Sequence, residues 1–227
     1  MKKNMFRIPG FLQLPLYFLL IHVFLSDVGV ARVFKPIFSF YWWYLLASPG
    51  IELLLFAALI PIIAKRVDMP LSDIGFHPGV TLKEVASALG AAVLCYPLAS
   101  ICNLVSKHDM NTGLTVILKG FERNDLNMAG AFWGLGIMGP IEEEIVFRGG
   151  LLSLLCAYWG KTPVKKALFA VASSLAFAFV HQTGHPIDYA VFFLSGMIWS
   201  GLFFVTGSLK AAIISHCIYN IFAGFII

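Results

Sequence analysis

Residues 139–149 read Gly-Pro-Ile-Glu-Glu-Glu-Ile-Val-Phe-Arg-Gly and set Glu142, Glu143, Glu144 and Arg148 inside a run otherwise apolar enough for lipid. A charged side chain at a bilayer centre costs about 2.5–3.5 kcal/mol on insertion scales, so such a cluster needs a functional or structural reason. Successive side chains on a helix step by about 100°, and three consecutive glutamates cannot share one face. Glu144 and Arg148 are spaced i,i+4 with the acid first, the better orientation for an ion pair. Paired, they neutralise each other and leave Glu143 on a neighbouring face above Phe147, where it is assigned as a general base. Glu142 points elsewhere and is assigned to solvent.

Two more pairs of i,i+4 residues follow: Phe177 with His181, and His216 with Asn220. Each pair projects from one helical face. A glutamate base, a histidine sharing a bound water with it, and a His plus Asn that donate to a developing oxyanion are the parts needed for water attack on an amide. The acidic cluster taken alone fits an ion-pair network that locks helices together equally well, and midplane carboxylates also serve transporters. Three polar faces on three late helices favour chemistry.

The elements that position these residues are those of a membrane protein. The chain has 227 residues, 59% hydrophobic and 12% charged, where about a quarter would be charged in a soluble domain. Its mean hydropathy is +0.85. Several apolar runs approach the roughly 20 residues that cross a bilayer as helix. They lie near 8–26, 40–64, 84–105, 128–159, 163–181, 186–206 and 208–227. The expectation is an all-α, polytopic transmembrane bundle of about seven or eight membrane helices. It forms a single integral-membrane domain over 1–227, with the catalytic core in about 128–227. The fourth run is too long for one straight crossing. Proline fits the first position of a helix and disfavours helical geometry just before it, so a fresh helix is expected at Pro140. Glu142 and Glu143 would then lie in its first turn, where the helix dipole stabilises anions.

Lys2, Lys3 and Arg7 precede the first run, which is read as a retained helix rather than a cleaved signal. With seven crossings, the basic residues fall mostly on the N-terminal side and favour a cytoplasmic N-terminus. Tyr41, Trp42, Trp43 and Tyr44 suit a membrane interface. Gly130 with Gly134, and Gly196 with Ser200, allow close helix approach. Cys95, Cys102, Cys156 and Cys217 are scattered and read as inert thiols. A net charge of +4 without a dense basic stripe gives no reason to expect nucleic acid.

The three pairs also carry a resemblance. Glu143-Glu144-Ile145-Val146-Phe147-Arg148 is similar to the Glu-Glu-x-x-x-Arg motif of the CPBP family, Phe177 to His181 to its Phe-x-x-x-His motif, and His216 to Asn220 to its His-x-x-x-Asn motif. That family groups the prenyl-protein (CAAX) endopeptidases with bacteriocin-processing and Abi-type, immunity-related membrane proteins. The resemblance covers roughly the C-terminal half. It implies an intramembrane peptidase in which Glu143 and His181 activate water while His216 and Asn220 support the oxyanion. Phe177, at the head of its motif, is assigned to the substrate side. The substrate implied is a membrane-anchored or membrane-inserted protein or peptide in the lipid bilayer. The lysine-led N-terminus and compact length point to a bacterial inner membrane.

Glu143, His181 and His216 could also ligate zinc, and members of the family are often labelled metalloproteases. There is no His-Glu-x-x-His here, and asparagine is a poor zinc ligand but a good amide donor. A metal-free, glutamate-based mechanism without cofactor is therefore expected, with Zn2+ as the alternative. The functional rivals are a non-catalytic membrane immunity or partner-binding protein and a proton-coupled transporter. The transporter should show inverted repeat halves, and no counterpart of Gly139-Pro140 is visible in the first half.

Overall fold

The structure, a computed structural model, describes residue 16 and residues 48–66, 68–106, 129–130, 132–181 and 185–225. Its elements are α1 (Ser48–Arg66), a 3-10 turn (Leu71–Ile74), α2 (Leu82–Ser106), a π-helical segment π1 (Phe132–Met138), α3 (Gly139–Glu144), a second π-helical segment π2 (Ile145–Leu152), α4 (Ser153–Trp159), α5 (Pro163–Val180), α6 (Pro186–Thr206) and α7 (Leu209–Phe225). All are helical, as the apolar runs led one to expect. Apart from residue 16, the run near 8–26 lies outside the described residues, as do the aromatic group at 41–44, the polar stretch at 107–127, and Lys2, Lys3 and Arg7.

Local chemistry sets where the late helices start and stop. At α5, the Thr162 hydroxyl accepts from the Lys165 N–H and Pro163 takes the first helical position. At α6, His185 Nδ1 accepts from the Ile187 N–H at 3.2 Å, with Pro186 following. Gly207, at φ +66°, ends α6 in the left-handed conformation that glycine adopts without strain. Thr81 and Glu84 form a reciprocal capping box at the head of α2.

The fourth run departs from expectation. Pro140 does not start a separate helix: Met138 is itself helical at φ −72°, ψ −44°, and the helical path continues from π1 through α3, π2 and α4. Proline lacks an N–H and its ring crowds the carbonyl four residues back. The wider π turns on either side of α3 absorb that irregularity without breaking the helix. Two serines satisfy carbonyls of π2: Ser153 Oγ donates to Arg148 O and Ser173 Oγ to Phe147 O, both at 2.8 Å.

α5 packs along α6, α7 along α2, and α6 against α2, while the composite helix touches α1, α5 and α7. The α5–α6 approach is close because Gly196 has no side chain. A Cβ there would meet Ser174 Cβ at 3.0 Å.

Polarity runs opposite to that of a water-soluble bundle. Glu52, Glu142, Glu144, Arg148, Asp188 and His216 are buried, while Leu54, Val93, Leu104, Leu168, Phe179 and Val205 are exposed. Such an outside suits lipid, where helices satisfy their own backbone groups. Among the described residues α5 and α6 are long and apolar enough to cross a membrane, and 209–223 is a shorter apolar stretch.

Candidate active site

The composite helix, α5 and α7 bring the three pairs together. Glu144 and Arg148 are completely buried and joined at 3.0 Å from Nη1 to Oε1, the i,i+4 pair read from their spacing. Arg148 also donates from Nη2 to the Gly196 carbonyl at 3.0 Å, and its guanidinium lies 4.8 Å from the Phe177 ring centre and 5.5 Å from that of Trp199. Cation–π contact suits a guanidinium away from water. His216 approaches the same Glu144 Oε1 through Nδ1 at 2.9 Å.

Glu143 occupies the more open side. Its side chain is 25% exposed and that of His181 21%, against 0% for Glu144. Glu143 Oε1 stands 3.9 Å from His181 Nε2 and its Oε2 3.7 Å from His216 Nε2. His181 Nδ1 lies 2.7 Å from the Phe177 carbonyl. A carbonyl only accepts, so Nδ1 carries the hydrogen and the lone pair of a neutral His181 sits on Nε2, toward Glu143. Two acceptors that face each other beyond hydrogen-bond distance leave a place suited to a molecule that donates to both.

Asn220 is positioned by π1, donating from Nδ2 to the Leu135 carbonyl at 2.9 Å. Phe177, expected on the substrate side, is completely buried. Phe147 and Trp199 meet its ring edge-on, and His181 and His216 lie against it at 4.6 and 5.9 Å between ring centres. Its position is that of a packing centre beneath the polar groups.

Tetrahedral zinc with bonds near 2.1 Å separates its ligand atoms by about 3.4 Å. The Glu143 to histidine gaps exceed this, and among the described residues no three His, Cys, Asp or Glu side chains converge closely enough to hold a metal.

Residues 125–222 match the family described as type II CAAX prenyl endopeptidase Rce1-like. The match supports the family resemblance read from the motifs, and it contains Glu143, Glu144, Arg148, Phe177, His181, His216 and Asn220. The Rce1-like match implies a peptidase, of CAAX intramembrane type in general terms, acting on peptide or protein. No curated protein and no solved structure matches the chain.

One expectation is corrected. Glu142 is not solvated: it is 7% exposed and lies beside Glu52 of α1, itself buried. The signal was present in the sequence, because Glu52 is a lone acid inside an apolar run and such residues usually have a partner in the bundle. Phe192, Gly196 and Trp199, which approach the site from α6, were also missed as a set, although they fall at i, i+4 and i+7.

Proposed function

We propose that the protein is an intramembrane endopeptidase of glutamate type that hydrolyses a peptide bond of a membrane-associated protein or peptide. The reading rests on one observation above all: the partly exposed Glu143 carboxylate faces two imidazole Nε2 atoms, at 3.9 and 3.7 Å, inside a bundle whose outer surface is apolar.

A water between Glu143 and His181 gives its proton to the Glu143 carboxylate as its oxygen attacks the scissile carbonyl carbon. The carbonyl π pair becomes the oxyanion. Glu143 then returns the proton to the leaving nitrogen as the carbon–nitrogen bond breaks. Asn220 retains a second Nδ2 hydrogen beyond the one given to Leu135, and it is assigned to the oxyanion together with His216. Glu144 and Arg148 act behind them, holding His216 and offsetting charge. No step needs a metal. The substrate class is drawn from the Rce1-like match: a lipid-anchored peptide end presented from the bilayer.

The test is cleavage in liposomes of a quenched fluorogenic peptide ending in a farnesylated Cys-aliphatic-aliphatic-X sequence, alongside its unlipidated counterpart. Wild type is expected to cut the lipidated probe faster and Glu143→Gln to be inactive. Equal cleavage by folded Glu143→Gln refutes the assignment. An inert wild type whose partner-dependent protection survives Glu143→Gln supports the non-catalytic rival.

A further inference from the structure

None of the three motifs lies on α6, yet α6 touches both histidines. Phe192 is stacked on His181, with ring centres 3.9 Å apart and planes 23° from parallel. Trp199 is stacked on His216 at 3.7 Å and 21°. Between them Gly196 accepts from Arg148. Residues 192, 196 and 199 share one face of a helix.

We infer that α6 sets the planes of both imidazoles, with Trp199 the positioning residue for His216 and Phe192 that for His181. The inference deepens the hydrolytic reading and rests on it. Each imidazole is held at Nδ1 by one acceptor, the Phe177 carbonyl for His181 and Glu144 for His216. One hydrogen bond chooses the tautomer but leaves the ring room to swing about the line through that atom. An aromatic plane at van der Waals distance removes the swing and aims Nε2 at Glu143. Trp199 can do this because it is itself anchored: it is buried, and its indole Nε1 donates to Ser215 Oγ, one residue before His216, at 3.2 Å. The stack therefore also ties α6 to α7. Stacked ring contact is favourable beyond burial alone and so biases the ring orientation.

The experiment pairs histidine proton NMR in detergent micelles with cleavage of the farnesylated fluorogenic peptide, for wild type, Trp199→Leu, Trp199→Phe and Phe192→Leu. His216→Gln supplies the assignment. Stacked on an indole, the His216 Cε1 proton is shifted upfield by the ring current. Trp199→Leu is expected to move that resonance downfield and lower kcat by about 100-fold with KM unchanged, the scale of loss when a reacting group is displaced. Trp199→Phe, which keeps a ring, should restore part of both. A moved resonance with wild-type kcat overturns the positioning role. An unmoved resonance overturns the stack. A wild type that shows the upfield resonance but cuts no probe overturns the hydrolytic reading and, with it, the catalytic role of the stack. If Trp199→Leu does not fold, Phe192→Leu and the His181 resonance carry the same test.

Discussion

His216 Nδ1 stands 2.9 Å from Glu144 Oε1, the oxygen that also accepts from Arg148 Nη1 at 3.0 Å. A single carboxylate oxygen thus orients the histidine and neutralises the guanidinium, so the ion pair supports the site as well as the helix. Replacing Glu144 by Ala leaves Arg148 buried without a counter-charge. A loss of about 3–5 kcal/mol is expected, read from unfolding in detergent. The double replacement Glu144→Gln with Arg148→Met should lose less than the sum of the two single changes, because the stranded charge is gone.

Gly196 is expected to tolerate nothing larger. A Cβ there meets Ser174 Cβ at 3.0 Å and Cα at 3.2 Å, and the same residue's carbonyl accepts from Arg148. Gly196→Ala should lower stability by about 1–3 kcal/mol, the usual scale of overpacking, and reduce cleavage as well. Adding Ser174→Gly removes the nearest atoms and should restore part of the loss. Thermal unfolding of the two variants decides it.

Glu142 should tolerate the loss of its charge better than the loss of its side chain. It lies beside the buried Glu52, and a glutamine amide fills the same space and can donate to that carboxylate. Glu142→Gln is expected within about 1 kcal/mol of wild type. Glu142→Ala, which strands Glu52 in the bundle, should cost more. The contrast is measured by unfolding, with Glu52→Gln as the reciprocal change.

These residues also mark what could be read in advance. The Glu144–Arg148 pair follows from four-residue spacing, and the placing of His181 and His216 from two further i,i+4 pairs, because helical geometry alone places such residues on one face. Glu142 could not be placed that way, since its partner sits on α1, ninety residues earlier in the chain. Trp199 and Phe192 were hidden for a similar reason: on a mostly apolar helix an aromatic stacked on a histidine looks the same as one packed in the core. Pro140 announced an irregularity but not its form. Whether a helix breaks or widens into π turns depends on donors such as Ser173, which arrives from α5.

Dependence on metal is checked by chelation. With Glu143 as the base and no metal in the reaction, EDTA and phenanthroline should leave the cleavage rate unchanged, and mass spectrometry of the purified protein should show no stoichiometric zinc. Zinc present at one per chain, lost together with activity, would instead make Glu143, His181 and His216 its ligands.

The most direct measurement is the kcat/KM of Glu143→Gln, His181→Gln and their double variant on the farnesylated peptide in liposomes, with folding verified for each. If the two side chains share one water, each single change should lower the rate by about 100- to 10,000-fold, and the double change should cost little more than the worse single one. Wild-type rates in a folded Glu143→Gln, or losses that simply multiply in the double variant, would contradict a water held jointly by Glu143 and His181.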